Sequence, residues 1–220
     1  MRFLKRTVLA LVLGSSTLAR ADLIGGGDML IGIPQGDFDR AVGTGWGFEG
    51  HGFATPPRQP WGLRFQASFL IYGSESFVSP YPGTKGRVGV NVTTDNWIAS
   101  VAAGPQLAVR SGPLRPYIHA LAGVSYFATT SRIDSNDVVL IAESTNYDDW
   151  TFRWSVGGGV NIPIGGSVAL DLGVAYVSND RVSYLTEGDL VENGAGGVSF
   201  TPKRSEAKLV QFTLGVSAGW

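Results

Sequence analysis

The chain has 220 residues, a formal net charge of −1 at pH 7, 31 glycines, 6 tryptophans and no cysteine. The lack of cysteine excludes disulfides and thiolate metal centres, and the near-neutral charge argues against a nucleic-acid partner. Abundant glycine and aromatics suit short-turned β structure better than helices, whose interiors glycine weakens. Past the first twenty residues no apolar run reaches the length of a membrane helix. If the chain sits in a membrane it must therefore be a closed β-barrel, since only helices and closed barrels satisfy the backbone in hydrocarbon.

The start of the chain reads as a secretory signal peptide. Arg2, Lys5 and Arg6 form a positive head, residues 7–13 are apolar, and Ala19-Arg20-Ala21 has the small-x-small form of a cleavage site. The expected division is a signal peptide over 1–21 and one domain over 22–220. Removing the signal takes away four basic residues and no acid, which moves the formal charge from −1 to −5.

Eight segments after the signal alternate with the period of two that marks a strand with one apolar face. The first, residues 23–33, is Gly-rich and weakly patterned: Met29, Ile31 and Ile33 alternate with Gly32 but also with Leu30. The second (45–54) sets Trp46 and Phe48 against Glu49 and His51. The third (61–72) sets Leu63, Phe65, Ala67, Phe69 and Ile71 against Arg64, Gln66, Ser68 and Tyr72. The fourth (97–109) points Gln106 to the polar side, the fifth (115–128) Tyr117 and His119, the sixth (150–162) Arg153, and the seventh (167–177) Asp171. The eighth (208–220) has Val210, Phe212, Leu214, Val216, Ala218 and Trp220 on one face, with Gln211, Thr213, Gly215, Ser217 and Gly219 on the other.

The connections alternate strictly between long and short: 34–44, 55–60, 73–96, 110–114, 129–149, 163–166 and 178–205. Outer-membrane barrels have that rhythm, with short periplasmic turns and long outer loops. Trp46, Tyr72, Trp97, Tyr126, Phe127, Trp150 and Tyr176 fall beside the long connections, and Trp61, Tyr117 and Trp220 beside the short ones or the terminus. Two aromatic girdles are the expectation. The fold class that follows is all-β, an eight-stranded antiparallel up-and-down transmembrane barrel.

With signal, alternation, rhythm and ending together, the chain resembles the small bacterial outer-membrane β-barrel family of the OmpX and OmpA membrane-domain type. Phe212, Leu214, Gly215, Val216 and the terminal Trp220 are similar to that family's C-terminal assembly signal. The resemblance implies transient reading of this segment by the barrel-assembly machinery and residence in the outer membrane of a Gram-negative cell, among its lipid and lipopolysaccharide. It also implies a non-enzymatic role, in membrane integrity or in surface interaction through the outer loops. A narrow channel and a lipid-modifying enzyme are the alternatives.

Motifs of other chemistries fail on context. Residues 45–50 fit G-x-G-x-x-G but have no helix after them. Asp134-Ser-Asn136-Asp137 begins like a calcium loop and then has Val138 and Val139 where a ligand and a glycine are needed. Asn91-Val-Thr93 fits a glycosylation acceptor that has no meaning in a bacterial outer loop. Neither His51 nor His119 has triad-like spacing, so no catalytic set, cofactor or metal site is assigned. Glu49, His51, Arg64, Gln66, Gln106, His119, Arg153, Asp171 and Gln211 instead read as a polar plug in a lumen just wide enough for its own side chains. Arg64 and Arg153 are expected to pair with Glu49 and Asp171, in a combination the sequence leaves open. Setting Ala54 opposite Trp61 would put Glu49 opposite Gln66 and His51 opposite Arg64. The stretch 131–149 holds Asp134, Asp137, Glu143, Asp148 and Asp149 against Arg132, either to bridge lipopolysaccharide through divalent cations or simply as a solvated face.

The loop rhythm makes a labelling pattern the first prediction. In intact cells a membrane-impermeant thiol reagent should mark Ser144→Cys and leave Ser111→Cys unmarked, with no native cysteine to interfere. The reverse pattern inverts the topology.

Overall fold

Ten strands run through the described chain in the order β1 (Asp22–Gln35), β2 (Gly45–Thr55), β3 (Trp61–Pro80), β4 (Gly89–Ala108), β5 (Arg115–Ser135), β6 (Val138–Gly165), β7 (Val168–Tyr184), β8 (Leu190–Asn193), β9 (Gly197–Phe200) and β10 (Lys203–Ala218). The computed structural model describes residues 21–80, 89–135, 138–185, 190–193, 197–200 and 202–219. Trp220, residues 1–20 of the expected signal peptide, and Asn136 and Asp137 of the calcium-like stretch lie outside them. Eight strands close an all-antiparallel barrel, β1-β10-β7-β6-β5-β4-β3-β2, while β8 and β9 pair only with each other.

Closure comes from β10 returning to β1, in register from Gly25↔Ala218 to Gln35↔Lys208. β1, weakly patterned in sequence, is a full member of the wall: Leu23, Met29, Ile31 and Ile33 are exposed, while Ile24, Asp28 and Leu30 are buried. Leu30 obscured the pattern because it faces a lumen that is itself apolar at that level. Phe212, Leu214 and Val216 are about half exposed on the outer face, and Gly215 points inward with Gln211 and Ser217.

The lumen is layered. Near the short turns lies a small apolar group of Ile24, Phe53, Ala108 and Tyr117. Toward the long-connection end, Leu30, Leu70, Tyr72, Ile98, Phe127, Val177, Val182, Tyr184 and Leu209 form a larger one. Phe38, from the turn after β1, is fully buried in this layer and meets Tyr184 edge-on at 5.1 Å, with Tyr72 at 5.6 Å and Phe127 at 6.4 Å. Tyr72, Phe127 and Tyr117 are thus lumen residues and not girdle residues: nearness to a loop does not decide the face, and period-two parity turns them inward. The outer belt near the long end contains Phe69, Trp97, Tyr126 and Trp150, with ring centroids 5.4, 5.5 and 4.7 Å apart in succession.

Two further expectations change. Ala54 lies opposite Leu63, not Trp61, so His51 faces Gln66 and Glu49 faces Ser68. The Thr55 hydroxyl closes the connection by bonding to the carbonyls of Gln59 (3.1 Å) and Trp61 (2.8 Å), which leaves Trp61 and Gly62 off the β2 ladder. The shift of two preserves every residue's face. β3 to β6 also run far into the predicted loops: β3 pairs β4 out to Pro80↔Gly89, and β5 pairs β6 out to Ser135↔Val138. Above the barrel the strict alternation of apolar and polar residues stops while strand-favouring Thr93, Thr94, Thr129 and Thr130 continue. Bulges at Ile71/Gly73, Thr129/Thr130 and Glu206/Ala207 mark this rim.

Phe38→Ala should empty the centre of the upper apolar layer and cost about 3–5 kcal/mol, as other buried Phe truncations do. Urea titration of the folded, heat-modifiable band checks this; a midpoint equal to the wild type's would show that Phe38 does not hold the layer.

Candidate functional site

Between the two apolar layers lies a belt of buried charge. It exists because outward alternation on each strand forces the intervening polar residues inward, and β1, β2, β3, β6 and β7 each deliver an ionisable group to the same zone. Asp28, Glu49, His51, Arg64, Gln66, Gln106, His119, Arg153, Asp171 and Gln211 are all less than 10% exposed.

Two groupings form. In the first, Arg64 meets Glu49 at 3.2 Å, donates to Gln106 Oε1 at 3.2 Å, and lies 5.5 Å from the centroid of the Tyr117 ring. In the second, His51 stands between two acids, with Nδ1 2.9 Å from Asp28 Oδ2 and Nε2 3.4 Å from Asp171 Oδ2. The Tyr117 hydroxyl donates to Asp171 Oδ1 at 2.7 Å, so Tyr117 bridges the two groupings through its ring face and its hydroxyl.

The expected partnership of Arg153 with an acid does not form among the described residues. Arg153 donates to Ser68 Oγ (3.2 Å) and Gln211 Oε1 (3.4 Å). The β6–β7 register explains this: Arg153 lies opposite Asn179, while Asp171 lies opposite Asn161 far down the ladder. His119 stacks on Tyr117 with centroids 6.0 Å apart and planes 19° apart, and Gln66 sits opposite His51.

Asp28 and Tyr117 belong to the belt and are absent from the plug read in the sequence. Parity held the signal for both: Met29, Ile31 and Ile33 facing out oblige Asp28 to face in, and His119 facing in takes Tyr117 with it. Close backbone approach makes glycine necessary at two points here. A Cβ on Gly26 would strike the His51 ring, and one on Gly215 would strike Asp28 Oδ1.

A barrel closed by its terminal strands, with exposed hydrophobes outside and a charged belt within, meets the description of one family, the outer membrane protein β-barrel domain, whose pattern matches residues 7–218. The chain belongs to this family. It is accordingly a small β-barrel of the bacterial outer membrane. Among curated proteins, none matches the sequence. Solved structures of similar fold include Neisserial surface protein A, 14% identical over 90% of this chain and 97% of that one, with a TM-score of 0.45. Ail, the attachment invasion locus protein of Yersinia pestis, is 12% identical over 90% and 96%, with a TM-score of 0.44. The outer membrane protease OmpT of Escherichia coli is 8% identical over 81% and 65%, with a TM-score of 0.40.

Removing one partner of a buried ion pair strands the other. Arg64→Met should therefore destabilise the barrel by about 3–5 kcal/mol, and adding Glu49→Gln should recover part of the loss. Arg153→Met, which breaks only hydrogen bonds to neutral partners, should cost less than Arg64→Met. Urea midpoints of the three proteins test the ranking; an Arg153→Met loss as large as that of Arg64→Met would overturn it.

Proposed function

We propose that this barrel is a non-enzymatic surface-interaction protein that meets its partners through a crest of strands above the membrane. The observation that carries the reading is the length of β3 to β6. Beyond Trp46↔Ile71 the ladder of β2 stops, yet β3 and β4 continue together to Pro80↔Gly89. Beyond Arg153↔Asn179 the β7 ladder stops as well, yet β5 and β6 continue to Ser135↔Val138. The result is a four-stranded sheet standing above the rim, with β3 and β6 as edges whose backbone groups, among the described residues, have a strand neighbour on one side only. Such edges template pairing with an incoming strand.

The lumen supports the same reading by what occupies it. Two apolar layers and the belt of paired charge leave the interior to side chains, as an eight-stranded barrel allows, and this argues against a conduit. His51 is buried between the carboxylates of Asp28 and Asp171 and closed off from an outside substrate, which argues against its use as a general base. Lipid and lipopolysaccharide surround the wall, and the barrel-assembly machinery would read Phe212 to Val216 during insertion.

A trimmed barrel, with β3–β4 and β5–β6 joined by short turns just above the rim, should fold and stay heat-modifiable. Cells carrying it should lose adherence to a surface coated with an extended strand-forming peptide, the ligand class an open sheet edge takes, and keep normal resistance to detergent. Unchanged adherence rejects the proposal. Detergent sensitivity appearing on trimming favours a membrane-integrity role, and steady single-channel conductance from the untrimmed protein in planar bilayers favours a channel.

A further inference from the structure

Three carboxylates stand in one row of the barrel wall. The ladders set Asp28 opposite Glu49 on one side and opposite Gly215 on the other, and set Gly215 opposite Asp171. Like charges facing across strands repel, and Gly215 has no side chain to separate Asp28 from Asp171. Arg64 answers Glu49 at 3.2 Å. Asp28 and Asp171 both turn instead to His51.

The two contacts of that imidazole differ in kind. Nδ1 to Asp28 Oδ2, at 2.9 Å, is an ordinary N–H···O hydrogen bond; a carboxylate only accepts, so it assigns a proton to Nδ1, and in the neutral ring the lone pair is then on Nε2. Nε2 then faces Asp171 Oδ2 at 3.4 Å. That oxygen has no hydrogen-bond partner, although its residue is 1% exposed, and Asp28 Oδ1 is likewise without one. Two acceptors facing each other repel, and a cation between them would turn that contact into an attraction. A proton there would draw them into a charge-assisted bond of about 2.7–2.9 Å. A tetrahedral ion with ligand bonds of about 2.0–2.1 Å holds two ligand atoms roughly 3.3–3.4 Å apart. One donor atom from each of Asp28, His51 and Asp171 lies within 4.8 Å of the others.

We propose that His51 Nε2 and Asp171 Oδ2, with Asp28 behind the imidazole, form a buried site for a divalent transition ion of the zinc class. The outer contacts are those a metal site uses: Asp28 fixes the tautomer and orientation of His51, and the Tyr117 hydroxyl fixes the second oxygen of Asp171 at 2.7 Å. An imidazole with carboxylates suits zinc rather than magnesium or calcium, which take oxygen donors alone. Charge agrees as well. At mid-lumen, among the described residues, three acids meet two arginines, and a bound cation offsets the extra acid.

The test uses the full barrel refolded in detergent with Zn2+ and then passed over chelating resin. Elemental analysis should find about one zinc per chain, and Co2+ in its place should show the visible absorption of a low-coordinate site. His51→Gln and Asp171→Asn should each lower retention at least about tenfold, while Asp148→Asn, at the rim, should leave it unchanged. Zinc stripped from the folded wild type, or retained equally by all the variants, overturns the proposal. If His51→Gln does not fold, the 15N resonances of His51 in the wild type decide: a shift of Nε2 on adding zinc supports the site, and an unmoved Nε2 overturns it.

Discussion

The ladder between β1 and β10 is the constraint on which everything else rests. In hydrocarbon an unpaired strand edge leaves several kcal/mol of unsatisfied polarity per group, so a partial barrel has no stable place there. The first and last strands, nearly the whole chain apart in sequence, meet from Gly25↔Ala218 to Gln35↔Lys208. That pairing fixes the circumference at eight strands and with it the width of the lumen. It also brings Asp28 of β1 alongside Gly215 of β10, so closing the wall and assembling the charged belt are one event.

A lumen of that width has to be filled, and the filling is ordered by depth. Apolar layers lie above and below, and the charged belt lies between them, shielded from water at both ends. Under those conditions each charge depends on its neighbours more than it would at a surface. Tyr117 shows the economy of the arrangement: its ring carries Arg64, its hydroxyl holds Asp171, and His119 stacks against it. It also belongs to the lower apolar layer, so the belt and its floor share a side chain.

The outward face was legible in the sequence because lipid demands apolar groups at every second position, and the inward placement of Glu49, Arg64, Arg153 and Asp171 followed from it by parity. What the lumen demands is less uniform. Leu30, Leu70 and Ile98 face inward beside apolar neighbours that face outward, so a rule of apolar out and polar in cannot see the upper layer. Phe38 reads as part of a loop because nothing local reveals that a turn residue folds back over the barrel mouth. Parity assigns faces but not register, so a hydroxyl as small as that of Thr55 could move the β2–β3 ladder by two residues along β3. Beyond the rim the period itself disappears: residues 93–96 are a polar run and residues 138–142 an unbroken apolar one, so these extensions of β3 to β6 read as loops.

The crest changes the meaning of the long connections. At about 3.3 Å per residue, the stretch from Gly73 to Pro80 reaches roughly 20–25 Å along the strand. A hydrogen-bonded sheet of that length holds its tip at a set standoff from the bilayer, where a flexible loop of equal length would sample every height. Ordering entropy is a main cost of association, and here folding has already met it. A partner docking at the tip, as proposed, would therefore be gauged by distance as well as by chemistry, and a surface layer deeper than the crest would screen it.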